Sequence, residues 1–331
     1  MAQLATIFDH EAFSLTSLTT GYNSADHIDA DVLNMFEVEN VEHRNVMIVK
    51  AGKSLQVLMP GEIGQHPNID KHDAESAVPV HLIRYPFDTN IVPDDLSRVA
   101  SIQDKKIKAT ELAVLVKSHM TKHKANHRYT SAFTAYTALK GKVKNAKGVV
   151  LVDLFKVMGV TERKVNLKLG TAGTDVPKLL KELRKDTMKI AKEHGHLTLK
   201  GVECRIGQEF IERILSHASI KTFYSEEIHA KRVVQFADDP SKINICGIEF
   251  ITDEADAVCE EGASYPKGAK GLFGMLRAPA DVMSSSSASN RECHITKEPM
   301  KHDEGLEIRS RAIYLPICRD PKLLSGVYSS N

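Results

Sequence analysis

The chain has 331 residues, 42% of them hydrophobic and 26% charged, with 44 Lys and Arg against 43 Asp and Glu for a formal charge of +1. This is an ordinary globular balance for about two domains, and it excludes a disordered, collagen-like or wholly membrane-embedded chain. The near-zero total also argues against a dedicated nucleic-acid binder, which is normally strongly basic.

That total is a cancellation between blocks. Residues 1–43 hold eight acids and no Lys or Arg, residues 101–147 hold eleven bases against Asp104 and Glu111, and residues 238–261 hold eight acids against Lys242 alone. Segregation of this kind suggests arms or faces that meet opposite charge within the chain or on a neighbour. Five cysteines, Cys204, Cys246, Cys259, Cys293 and Cys318, form no CxxC or other paired spacing. They fit reduced thiols in a cytosol better than a disulfide scaffold or a zinc ribbon. Residues 1–13 lack a basic leader region, and no apolar run approaches the ~18 residues of a membrane span, so the expectation is a soluble intracellular protein.

In chain order, residues 1–40 carry scattered apolar side chains without a sustained period and read as an extended arm that needs a host surface. Val46-Met47-Ile48-Val49 and Leu55-Gln56-Val57-Leu58-Met59, separated by Ala51-Gly52-Lys53-Ser54, predict a hairpin. A long polar loop follows from Pro60, and residues 78–85 return as a third strand, with Pro79 and Pro86 placing it at an edge. Residues 102–140 hold the longest helix candidate, with Leu112, Leu115 and Val116 marking one face and Tyr129, Phe133 and Tyr136 continuing it. A helix of that length reads as a spine, stopped by Gly141. Residues 148–152 read as a buried strand. A second helix is expected over 176–194, capped by Asp175 and ended by Gly195, and a third from Phe210 to Ala218. Strands over 243–251, 271–277 and 306–315 and a serine-rich loop at 284–290 complete a segregated α+β pattern.

Few motifs carry chemistry. The Ala51-Gly52-Lys53-Ser54 segment has Met47 where a phosphate-binding loop needs its first glycine, and it precedes no helix. Gly268, Gly271 and Gly274 are spaced for turns rather than for a dinucleotide fingerprint. Ser264-Tyr265-Pro266-Lys267 matches Ser-x-x-Lys but has Pro266 inside it and no partner motif. His119, His123 and His127 recur every four residues on the spine, the sharpest metal-like feature. Lys117, Lys122, Lys124 and Arg128 surround them and would repel a cation, so a polar helix face touching solvent, a neighbouring subunit or nucleic acid is the better reading. No segment brings together a nucleophile, a base and an orienting group, and the expectation is an assembly protein with no catalytic, cofactor or metal site.

The C-terminal part is distinctive. Gly271-Leu272-Phe273-Gly274-Met275-Leu276-Arg277-Ala278-Pro279-Ala280-Asp281, then Gly305-Leu306-Glu307-Ile308-Arg309-Ser310 and Leu315-Pro316-Ile317-Cys318-Arg319-Asp320-Pro321, resemble the lambda-type (E-type) major capsid protein family of tailed double-stranded DNA bacteriophages. Gly201-Val202-Glu203-Cys204, Phe210-Ile211 and Gly247-Ile248-Glu249-Phe250 resemble its middle region. Leu139-Lys140-Gly141, Leu154-Phe155 and Gly159-Val160 resemble the run after its long helix, and Phe13-Ser14-Leu15-Thr16-Ser17-Leu18-Thr19 its N-terminal arm. The usual Arg-Pro after the final strand is Arg319-Asp320-Pro321 here, and the serine-rich loop also departs from the family pattern.

The resemblance implies an α+β Hong Kong 97-like phage capsid fold. Its parts would be an N-terminal arm (1–44), an extended hairpin loop (45–90), a peripheral domain with the spine helix (91–194 and 262–331) and an axial domain (195–261). It implies a major capsid protein of the virion, made in the bacterial cytoplasm, that self-assembles into hexamers and pentamers of an icosahedral shell. Portal, scaffolding or protease, and decoration or cement proteins are implied partners, with packaged DNA met through non-specific contacts and no membrane. Lys117, Lys122, Lys124, Arg128, Lys142 and Lys144 are the candidate subunit-interface or interior-facing bases. The alternative is a non-sequence-specific nucleic-acid binder using the basic stretch 101–147.

Overall fold

The computed structural model describes Leu18, Tyr22 and residues 31–49, 77–92, 94–95, 109–196, 199–229, 242–252, 261–280, 292–301 and 304–330. Most of the arm, the expected strand at 55–59 with its turn at 51–54, the polar loop after it and the serine tract lie outside the described residues. The same holds for residues 253–260 of the acidic segment.

The elements run β1 (Glu37–Asn40), β2 (Asn45–Val49), β3 (Ala77–His81), β4 (Ile83–Ile91), the helix α1 (Ala109–Leu139), β5 (Lys142–Lys144) and β6 (Val150–Asp153). Next come α2 (Leu154–Met158), β7 (Lys164–Asn166), α3 (Val176–Glu193), β8 (Gly201–Ile206), α4 (Gln208–Ser216) and α5 (Ala218–His229). The last third holds β9 (Lys242–Ile245), β10 (Ile248–Thr252), β11 (Gly262–Lys267), β12 (Phe273–Ala278), β13 (His294–Pro299), β14 (Leu306–Cys318) and β15 (Ser325–Tyr328). No described helix is long and apolar enough to cross a membrane.

The chain divides into two units. One comprises Met1–Val46, His81–Ala132 and Met275–Leu315; the other comprises Met47–Val80, Phe133–Gly274 and Pro316–Asn331. In the first, β14 is the central strand. β13 pairs antiparallel with it from His294 opposite Arg311 to Pro299 opposite Leu306, and β4 pairs with it from Ile91 opposite Leu306 to Ile83 opposite Tyr314. The sheet order is β1-β12-β14-β13, with β4 joined to β14. Leu306, Ile308, Ser310 and Ala312 are buried while Glu307, Arg309 and Arg311 are half-exposed, the period-2 alternation of a strand with one face on a core. Leu18, Tyr22, Ile91, Val116, Met120, Cys293 and Ile295 pack with Leu306 and Ile308 to form that core.

The second unit is built on a six-stranded sheet of order β7-β15-β11-β8-β10-β9. β10 runs parallel to β8, so the chain between them must cross over, and α4 and α5 lie on that connection. In α3, Val176, Leu180, Leu183, Thr187 and Ala191 are buried at spacings of three and four, while Lys178, Lys181, Lys185 and Asp186 face solvent. Its buried side joins Phe210, Ile211 and Ile214 of α4 and Val202, Cys204, Ile206 and Phe250 of the sheet. Each such fully buried aliphatic or aromatic side chain stabilises the fold by about 1.5–3 kcal/mol.

The α3 caps follow the sequence reading. The Asp175 carboxylate accepts the Lys178 amide at 3.1 Å, and Gly195 takes φ +92° after the last turn. Gly141 stops the spine for two reasons: its φ is +74°, and a Cβ there would lie 2.2 Å from Cε2 of Phe155.

Four expectations change. The strand expected over 78–85 is two strands separated by Leu82: β3 pairs with β2 in a two-stranded sheet, and β4 runs on to Ile91. The third helix breaks at His217, whose extended backbone (ψ 137°) starts a new helix. Its Nδ1 accepts the Ser219 amide at 3.3 Å, which caps α5, and its Nε2 donates to the Thr171 carbonyl at 3.2 Å. The strand at 150–153 is not buried. Val149, Val150 and Leu151 are 57%, 43% and 40% exposed, because β5 and β6 form a separate ribbon with no third strand among the described residues. Finally, Tyr129 does not continue a buried aromatic stripe with Tyr136; it is exposed while Tyr136 is buried.

Candidate assembly surfaces

The spine's inward face in the first unit is set by Val116, Met120, His123 and His127, all buried and spaced four, three and four residues apart. The histidines therefore lie on the core side, and the expected polar outer face is carried by Lys117, Lys122, Asn126 and Tyr129. Ser310 of β14 meets both imidazoles: its Oγ is 2.6 Å from His123 Nδ1 and 2.8 Å from His127 Nε2, and it donates to the Phe87 carbonyl at 3.0 Å. A serine hydroxyl has one proton and two lone pairs, so this network assigns Nδ1–H to His123 and Nε2–H to His127. The Phe87 ring also stands edge-on to His123 at 4.7 Å.

Burial holds both imidazoles neutral, pushing each from 6.5 down to about 4; the neighbouring His127, His119 and Lys122 add to the effect on His123, and Glu292 opposes it at His127. His119, half-buried, is lowered in the same direction, again chiefly by burial. One nitrogen of each imidazole is thus committed to the serine hydroxyl, and among the described residues no group of three His, Cys, Asp or Glu side chains could hold a metal ion.

The six candidate bases have different fates. Lys117 and Lys122 are exposed on α1, and Lys124 is buried. Arg128 approaches Glu292 at 3.6 Å, at the same carboxylate oxygen that Arg277 reaches at 3.6 Å. Lys142 donates to Glu162 at 2.7 Å. Lys144 is half-exposed on the β5–β6 ribbon, and its amide donates to Thr137 Oγ1 at 3.2 Å.

Polar contacts missed by sequence reasoning fasten the second unit. Arg205 Nε donates to the buried Tyr265 hydroxyl at 3.1 Å, and Lys267 bonds Glu203 at 3.0 Å and Glu249 more closely still. The Asp320 that interrupts the family's usual Arg-Pro pair has two partners: it bonds His194 Nδ1 and accepts the Lys322 amide at 3.2 Å, which caps the short turn Pro321–Leu323. Only an acidic or amide side chain at that place could do both. Ser264 lies mid-strand in β11, buried and opposite Cys204 and Ser325, with no helix start beneath it.

Among the strand edges open in the described residues, those of β6 and β1 carry exposed apolar side chains beside charges of opposite sign. The ribbon tip is held by Asn145, whose Oδ1 accepts the amides of Lys147 and Val149, both at 2.9 Å. β6 has β5 as its one partner, and β1 lies at the end of its sheet with all four residues exposed.

Comparison with known proteins agrees with this architecture. The chain matches the family described as phage major capsid protein E over residues 15–327. It is 22% identical over 304 residues to the major capsid protein of Salmonella phage Felix O1 (isolate Felix O1-VT1), covering 78% of this chain and 81% of that protein. Among solved structures, it resembles the proposed capsid protein of a prophage of E. coli CFT073 with a TM-score of 0.57 at 11% identity, over 96% of this chain and 99% of that one. The α+β architecture is the Hong Kong 97-like phage capsid fold. With a match that runs from residue 15 to residue 327, the chain belongs to the phage major capsid protein E family, whose members form the shell of the virion.

Proposed function

We propose that copies of this chain join head to tail into hexameric and pentameric rings that tile an icosahedral shell around double-stranded DNA, without catalysing a reaction. The observation that carries this reading is the family match across nearly the whole chain. Residues 1–44 act as an N-terminal arm, 45–90 as an extended loop lying on the adjacent subunit, 91–194 with 262–331 as the peripheral domain and 195–261 as the axial domain. In support of the loop's role, β2 and β3 pair only with each other among the described residues, and a two-stranded ribbon is marginal in water unless something covers it. Obligate assemblies typically bury more than about 2,000 Å² per interface, which arms and ribbons can supply.

The basic stretch serves contacts between protein segments more than DNA. Arg128 and Lys142 already meet acids and Lys124 is buried, leaving Lys117, Lys122 and Lys144 for a neighbour. A strongly basic lumen would also trap host nucleic acid. The shell is assembled in the bacterial cytoplasm with portal, scaffolding or protease, and decoration proteins. Size exclusion and negative-stain microscopy of the expressed chain, alone and with its phage's other head proteins, test the reading. Rings, sheets or shells are expected, and a strictly monomeric chain under every condition overturns it. Salt-sensitive retention of the soluble chain on DNA would favour the nucleic-acid alternative instead.

A further inference from the structure

We infer that β6 of one copy docks edge-on against β1 of a neighbouring copy, so that two sheets join across a subunit contact. The inference rests on the capsid reading for its occupant, a second copy of this chain.

Four observations carry it. Both strands have an open edge among the described residues, and both are four residues long. Both expose apolar side chains: Val38 is 50% exposed on β1, and Val149, Val150 and Leu151 form a run at β6. Consecutive residues of a strand point to opposite faces, so exposure of both Val150 and Leu151 means that neither face of the ribbon is covered at that point. An open strand edge with an apolar run is a template for another chain. The flanking charges are opposite. Glu37, Glu39 and Glu42 are exposed beside Val38, in a segment that has no Lys or Arg before Arg44, whereas Lys144 and Lys147 flank the ribbon tip and have no ion pair among the described residues.

The same charges exclude the symmetric alternatives. Pairing β6 with β6 would bring Lys144 and Lys147 against their own copies, and pairing β1 with β1 would oppose three glutamates to three. A β6–β1 contact is heterologous, using two different patches of one molecule, and heterologous contacts are the kind that close into rings.

Two experiments on the full-length chain, in the assembly system that yields shells from the parent, test it. Val38→Cys combined with Val150→Cys, and Val38→Cys with Leu151→Cys, are oxidised in assembled shells with diamide and run on a denaturing gel. A ladder beyond the dimer is expected in at least one double variant and in none of the three single variants nor the parent; absence of a ladder from both double variants overturns the inference. If the cysteine variants do not assemble, charge reversal decides. Lys144→Glu with Lys147→Glu should lower shell yield about tenfold, and adding Glu37→Lys with Glu39→Lys should restore most of it. Unchanged yield in the first variant, or no restoration in the second, overturns the contact. A parent chain that never assembles would instead overturn the capsid reading itself, so the two failures are distinguishable.

Discussion

His123 Nδ1 lies 2.6 Å from Ser310 Oγ, and that one oxygen ties the spine helix to the central strand of the first unit, 187 residues away in the chain. With the Ser310 proton directed at the Phe87 carbonyl, both lone pairs are filled by histidine N–H groups. The arrangement works only while both imidazoles are neutral at their other nitrogen, since burial penalises the charged form.

Stability should consequently fall in mild acid. The folded histidines titrate at about 4 and the unfolded ones near 6.5, so the unfolded chain binds more protons between these values. The contribution is complete above pH 6.5 and is lost as the pH falls towards 4, at up to about 1.4 kcal/mol per pH unit for each histidine. His123→Asn places an amide donor near Nδ1 and His127→Gln one near Nε2, so either keeps a bond to Ser310 without the titration. Denaturant unfolding of the unassembled chain between pH 6.5 and 5 should show each variant losing up to about 2 kcal/mol less than the parent. Equal pH slopes in parent and variants would contradict the assignment.

Gly141 and Gly148 make a matched pair. Both have positive φ, +74° and +78°, but a Cβ at Gly141 would strike Phe155 whereas one at Gly148 meets nothing within 4 Å among the described residues. Gly148→Ala should cost about 1–2 kcal/mol, the backbone penalty alone. Gly141→Ala should cost at least about 2 kcal/mol more through overpacking. Thermal unfolding of the two variants side by side reads the difference, and similar losses would show that Phe155 yields freely.

The turn between β9 and β10 holds a non-glycine residue in the left-handed region: Cys246 has φ +55°, followed by Gly247 at +80°. Asn and Gly are the residues that suit the first position of such a turn. Cys246→Asn should stabilise the chain by about 0.5–1 kcal/mol, seen as a higher denaturant midpoint at unchanged slope. A lower midpoint would mean that the cysteine makes a contact worth more than the backbone strain.

Deleting the extended loop tests its proposed role, and the structure sets where the deletion ends. Tyr85 of β4 stacks on Tyr314 at 4.5 Å, so β4 belongs to the folded body, and a deletion should stop before it. Replacing residues 50–76 with a Gly-Asn turn should leave a chain that folds yet does not form stable capsomers. Normal shells from that variant would contradict the role given to the loop.

Much of this architecture is legible from local pattern. The α3 caps, the Gly141 stop and the alternation of β14 are written in short-range chemistry, and the order of motifs from Phe13 to Pro321 identifies the family. What local pattern cannot give is which side of an element meets the rest of the chain. The surrounding lysines suggest a polar histidine face touching solvent, a neighbouring subunit or nucleic acid, yet Val116 and Met120 on the same face turn it inwards, and a partner serine 187 residues away is invisible to spacing. An apolar run at Val149 reads as buried because hydrophobicity does not reveal that its ribbon has just two strands among the described residues. Asp320 stands out in the sequence only as a departure from the resembled pattern, because the partner that gives it a role, His194, is 126 residues distant.

The central claim is that this chain builds a closed shell from rings of itself. Electron cryomicroscopy of particles formed by the full-length chain, alone or with its phage's other head proteins, measures that directly. Closed particles with fivefold and sixfold rings, each subunit traceable as the fold described above, are the expected result. Particles without rotational symmetry, or a chain that stays monomeric in every mixture, would contradict it.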